Sequence, residues 1–90
     1  MSKGYVPYLT LPDETIVTHT CPEDEKDILV YFEKPDEELF FKYLEINLST
    51  LDILKNNGFE LSEVAWFVNF CLSNYKLIVK YSKTGGILSA

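Results

Sequence analysis

Ninety residues, 47% of them apolar and 14% aromatic, make one domain with enough apolar side chains to form a core. No apolar run approaches the roughly 18 residues that a membrane span needs. Fourteen acids face eight lysines and no arginine, for a net charge of −6, the wrong sign for gripping phosphate backbones. Nucleic acid and membrane are therefore excluded as expected partners.

The charge is polarised. Residues 1–45 hold eleven acids and four lysines, whereas residues 46–90 hold three acids and four lysines. Most acids fall in two clusters beside prolines, Glu23-Asp24-Glu25 with Asp27 after Pro22, and Asp36-Glu37-Glu38 after Pro35. Both are turn compositions. The first runs straight into Ile28-Leu29-Val30 and lacks the central glycine and ligand spacing of a calcium loop. His19, Cys21 and Glu23 share strand parity. Three loosely placed donors fall short of zinc-site spacing, so no metal or other cofactor is expected. Two cysteines and an N-terminus without a secretory apolar stretch read as a cytoplasmic protein with reduced thiols.

In chain order, Tyr5 to Leu11 is a strand interrupted by Pro7, which confines it to an edge or a bulge. Pro12-Asp13-Glu14 turns the chain into Thr15–Thr20, and further strands follow at Asp27–Glu33 and Phe40–Leu48. In the last of these, Phe40, Leu44, Ile46 and Leu48 share one face with only Lys42 intervening, and Phe41, Tyr43, Glu45 and Asn47 share the other. Ile28, Val30 and Phe32 alternate with Leu29, Tyr31 and Glu33 in the same way. The outward face of this hairpin therefore carries Tyr31, Phe41 and Tyr43, an unusual concentration of rings for a surface that meets only water.

Ser49, Asp52 and Asn56-Asn57-Gly58 punctuate a short helix over about 50–57. Ser62 caps a long helix over about 62–83, with Glu63 at its start, Lys76, Lys80 and Lys83 toward its end, and Gly85-Gly86 as the stop. At about 100° per residue, Val64, Phe67, Val68, Cys71, Leu72, Tyr75, Ile78 and Val79 form the core-facing stripe. Trp66, Phe70, Leu77 and Tyr81 form a second stripe, centred about 140° away, with Asn74 the one polar residue on the apolar side. This stripe is either covered by the short helix and the segment Tyr5–Tyr8, or left to a partner. The expected fold is α+β: an antiparallel meander of three to four strands over about 5–48, packed by the two helices, with 1–4 and 85–90 as flexible tails.

Leu11-Pro12-Asp13 before a strand, Gly58-Phe59 with Ser62-Glu63-Val64 opening the last helix, and the ending Lys83-Thr84-Gly85-Gly86 together resemble small bacterial proteins of uncharacterised function. That resemblance implies a meander followed by a helical C-terminus and carries no activity with it. No nucleophile elbow, phosphate loop or arginine clamp occurs, and Glu60 with Glu63 reads as helix-start chemistry, so an enzyme is not expected. The sequence points instead to an interaction module that pairs with a second copy or another protein through Trp66, Phe70, Leu77 and Tyr81. A different reading makes it an acidic inhibitor or antitoxin-like protein that sets Glu23, Asp24 and Glu25 on a basic nucleic-acid-handling target.

Overall fold

The structure, a computed structural model, describes residues 4–22 and 27–86. The acidic residues Glu23, Asp24 and Glu25 and the outermost tail positions 1–3 and 87–90 lie outside them. Among the described residues the chain is α+β. Its five strands are β1 (Val6–Thr10), β2 (Ile16–His19), β3 (Leu29–Asp36), β4 (Phe40–Asn47) and β5 (Ile53–Asn57), followed by helices α1 (Leu61–Ser73) and α2 (Tyr75–Thr84). The strands form one antiparallel sheet in sequence order, β1-β2-β3-β4-β5.

Alternation builds the core. Val17 and His19 of β2, Ile28 just before β3, Val30 and Phe32 within it, and Leu44, Ile46 and Leu48 in and after β4 are all buried on one face. Phe67, Cys71 and Ile78 of the helices close over that face, with Phe32 and Phe67 ring centroids 4.4 Å apart. Burial of these side chains is the main stabilising contribution, about 1.5–3 kcal/mol for each large one. Phe40, expected in this row, is 86% exposed. It leaves the hairpin turn with φ of 68°, where the Asp36 carboxylate accepts the N–H groups of Glu38 and Leu39, and the alternation starts only after it.

The segment 50–57 is not a helix but a fifth strand. The Asn47 side-chain oxygen accepts the Ser49 N–H at 2.9 Å and the Thr50 hydroxyl accepts the Asp52 N–H at 3.2 Å. Leu51, at φ of 65°, closes a tight loop through its N–H to the Asn47 carbonyl. The residues that suggest a helix cap thus serve a hairpin, because short polar side chains satisfy loop backbone as well as helix ends. Asn56 then brackets Phe59, accepting its N–H and donating to its carbonyl, while Gly58 at φ of 100° turns the chain toward α1.

The expected long helix is also broken, at Asn74 (φ −105°, ψ 10°). The Asn74 side-chain amide donates to the Phe70 carbonyl at 2.9 Å, and its oxygen accepts the Tyr8 hydroxyl at 2.7 Å. A side chain that inserts into the carbonyl ladder and is held from outside is a sufficient cause for the kink. On either side of this break, Leu72 and Tyr75, expected in the core, are exposed. α1 begins one residue before the expected Ser62 cap, with the Glu63 carboxylate accepting the Glu60 N–H at 2.9 Å. α2 ends as expected at Gly85 (φ 91°), and the Gly86 N–H reaches the Tyr81 carbonyl at 2.8 Å. Both glycines thus belong to the helix cap.

His19 is fully buried. Its Nδ1 lies 2.9 Å from the Thr20 carbonyl and so carries the proton, while Nε2 has no hydrogen-bond partner among the described residues. Burial holds its pKa below the ordinary 6.5. A depressed folded-state pKa means that the neutral ring stabilises the fold above about pH 6.5, and that this contribution is lost as pH falls toward the folded value. Denaturant melts of the wild type are expected to lose midpoint between pH 7 and 5. A His19→Gln variant is expected to be flatter over that window.

Candidate functional site

Two surfaces emerge on opposite layers. The first surrounds α1. Phe67 and Cys71 point inward, and the flanks of the helix are apolar on both sides. On one flank Trp66 is 52% exposed and stacks on Phe70 at 5.8 Å, and Phe70 leans edge-on against Phe32 and Tyr8. On the other, Leu61 is 86% exposed, and Ala65 and Leu72 are exposed below it. Beside Trp66 lies a cleft of about 380 Å³ lined by Leu11, Pro12, Asp13, Glu63, Trp66 and Phe67. The β1–β2 turn supplies its far wall.

The carboxylates of this cleft are engaged. Lys34 reaches Asp13 at 3.4 Å and Lys42 reaches Glu63 at 3.7 Å. The Thr15 hydroxyl beside Asp13, the Thr15 N–H and the Lys34 ammonium hold the Asp13 carboxyl below its ordinary value. Glu60 and Glu63 are occupied at the helix start rather than paired as acid and base. Burial pushes the Cys71 thiol up to about 12 and raises that of Cys21, which leaves both protonated and unreactive at neutral pH. Among the described residues no three metal-ligating side chains gather, and no helix is long and apolar enough to cross a membrane.

The four residues of the expected second stripe are divided by the break at Asn74. Tyr8 packs against Phe70 and Tyr81 with centroids 6.2 and 6.3 Å away, so these two are half-buried within the chain. Trp66 and Leu77 remain open. The N-terminal segment thus covers part of the stripe, and no short helix exists to cover the rest.

The second surface is the outward face of the sheet. In the β3–β4 register Tyr31 opposes Glu45, Glu33 opposes Tyr43 and Pro35 opposes Phe41, which places all three expected rings on one side. Tyr31 and Tyr43 stack at 6.0 Å, and Phe41 sits 6.0 Å beyond Tyr43. Tyr5, which the alternation within the strands does not reach, extends the row from the β1 edge at 5.3 Å from Tyr31, its hydroxyl donating to the Glu45 carboxylate. Burial and the nearby Glu33, Tyr43 and Glu45 raise the Tyr31 hydroxyl pKa.

No family model, curated protein or solved structure matches the chain. The functional reading rests on these two surfaces.

Because Tyr8 and Asn74 join β1 to the helix junction, Tyr8→Phe is expected to cost about 1 kcal/mol of unfolding free energy in urea melts, the typical value of one such hydrogen bond. It is also expected to raise Trp66 solvent quenching, since Phe70, on which Trp66 stacks, rests on Tyr8.

Proposed function

We propose that this chain is a protein-interaction module that self-associates through α1 and the start of α2. The observation that carries the reading is the exposure of Leu61, Trp66, Leu72 and Leu77 on helices whose core face is already filled. Large apolar side chains left open on both flanks of one helix are surface that a partner can cover. A chain of this size buries only about 60–65% of its unfolded surface, so association adds core that the monomer lacks.

A second copy fits in charge as well. Glu60 and Glu63 stand at the start of α1, and Lys76 and Lys80 lie on α2. An antiparallel two-fold arrangement, the commonest symmetry of soluble oligomers, brings the acidic end of one copy toward the lysine-bearing helix of the other. Trp66, beside its cleft, is the natural central anchor, because half-exposed aromatic residues next to a pocket dominate interface energetics.

Sedimentation equilibrium tests this directly. The wild type is expected to run as a dimer, and Trp66→Glu and Leu61→Glu as monomers with unchanged circular dichroism. A wild type that stays monomeric at the highest attainable concentration would overturn the reading.

A further inference from the structure

The outward face of the sheet offers a different chemistry from the helices. Tyr5, Tyr31, Tyr43 and Phe41 form a continuous diagonal row with neighbouring centroids 5.3 to 6.0 Å apart. Two carboxylates are set among them. Glu45 is only 8% exposed, and its one hydrogen bond here is from the Tyr5 hydroxyl. Glu33 stands directly opposite Tyr43 and remains half-exposed. Among the described residues the ion pairs are Lys34–Asp13 and Lys42–Glu63, so neither carboxylate of this face has a cation at ion-pair distance. Lys55 opposes Glu45 in the β4–β5 ladder without closing such a pair.

Glu33 is a half-exposed carboxylate with no cation at ion-pair distance among the described residues, and the faces of aromatic rings are themselves negative. The surface therefore favours a cation that can lie flat on a ring and reach a carboxylate at the same time. The guanidinium group does both, stacking on tyrosine and forking to an acid, whereas the compact lysine ammonium does so less well. An extended chain places alternate side chains about 6.6 Å apart, close to the spacing of the rings. The chain has no arginine of its own, so a second copy cannot supply the group. We infer that the outward face of the sheet is a docking platform for an extended, arginine-bearing segment of another protein, with guanidinium groups stacked on Tyr31 and Tyr43 and hydrogen-bonded to Glu33. This surface is separate from the helices and does not depend on self-association.

Fluorescence anisotropy with a labelled ten-residue peptide of alternating serine and arginine provides the test. The peptide is expected to bind the full chain, and its serine–glutamate counterpart is not. Tyr43→Ala is expected to weaken binding about fivefold, in line with loss of one cation–π contact, while Tyr43→Phe retains it. Glu33→Gln, which keeps shape and adds no strain, is expected to weaken binding severalfold and to flatten its salt dependence. Asn69→Ala, on the helical layer, is expected to leave affinity unchanged. Affinity unaltered by both Tyr43→Ala and Glu33→Gln would reduce the effect to general attraction of a polycation and overturn the inference. Binding of a β-linked glucose hexasaccharide to these rings without binding of the arginine peptide would overturn it in favour of a carbohydrate platform.

Discussion

The hydrogen bond from the Tyr8 hydroxyl to Asn74 ties the first strand to the joint between the helices, and much of the molecule follows from it. It holds the Asn74 side chain where its amide shares the Phe70 carbonyl with the Asn74 N–H, at the junction between α1 and α2. It brings the Tyr8 ring against Phe70, Tyr81 and His19, joining four elements in one aromatic cluster. By covering Phe70 and Tyr81 it also decides which apolar residues are left for a partner. A side chain with an apolar body and a polar tip suits this position, since it fills space and satisfies a buried amide together.

The sheet acts on its two faces in different ways. Its inner face is aliphatic apart from Tyr8, Phe32 and the buried His19, and the helices pack over it. Its outer face is lined by tyrosines whose hydroxyls keep contact with water or with carboxylates. A five-strand layer covered on one side only leaves the other free for chemistry, and here that chemistry is aromatic and acidic. The helical layer is apolar and bordered by paired charges. The two layers thus offer different chemistries, one apolar and the other aromatic and acidic.

Period-two alternation and proline chemistry were enough to read the first four strands, the hairpin between Tyr31 and Tyr43 and the edge position of Pro7, because each depends on neighbours in sequence. The glycine stop at Gly85 was equally legible, since only local backbone decides it. The residues around Ser49 and Asn56 were not, because capping side chains satisfy a hairpin loop as readily as a helix end, and the pairing of β5 with β4 decides between them. The break at Asn74 needed a partner sixty-six residues away in sequence. For the same reason the cleft beside Trp66 was hidden, its walls coming from the β1–β2 turn and α1. Tyr5 was missing from the expected outer row because its approach to Tyr31 crosses from β1 over β2 to β3, which alternation within one strand does not reveal. Leu61 lies before the expected helix start and Leu72 within its expected core-facing stripe, so the exposure of neither was legible, and a stripe that looks core-facing on one long helix no longer is when the helix is interrupted.

The two rims of the sheet have a consequence for assembly. β1 carries Pro7, which lacks a donor, and slips register between Pro7 and Leu9. β5 is five residues long, carries Lys55 and slips register where Leu54 is left over between Ile53 and Lys55. Proline, lysine and bulges are the devices by which sheets resist further strand addition. Growth strand upon strand is thereby discouraged at both ends, and contact through a face is favoured in its place. The sheet is thereby built as a layer of fixed width, closed to strand-by-strand fibres at both rims.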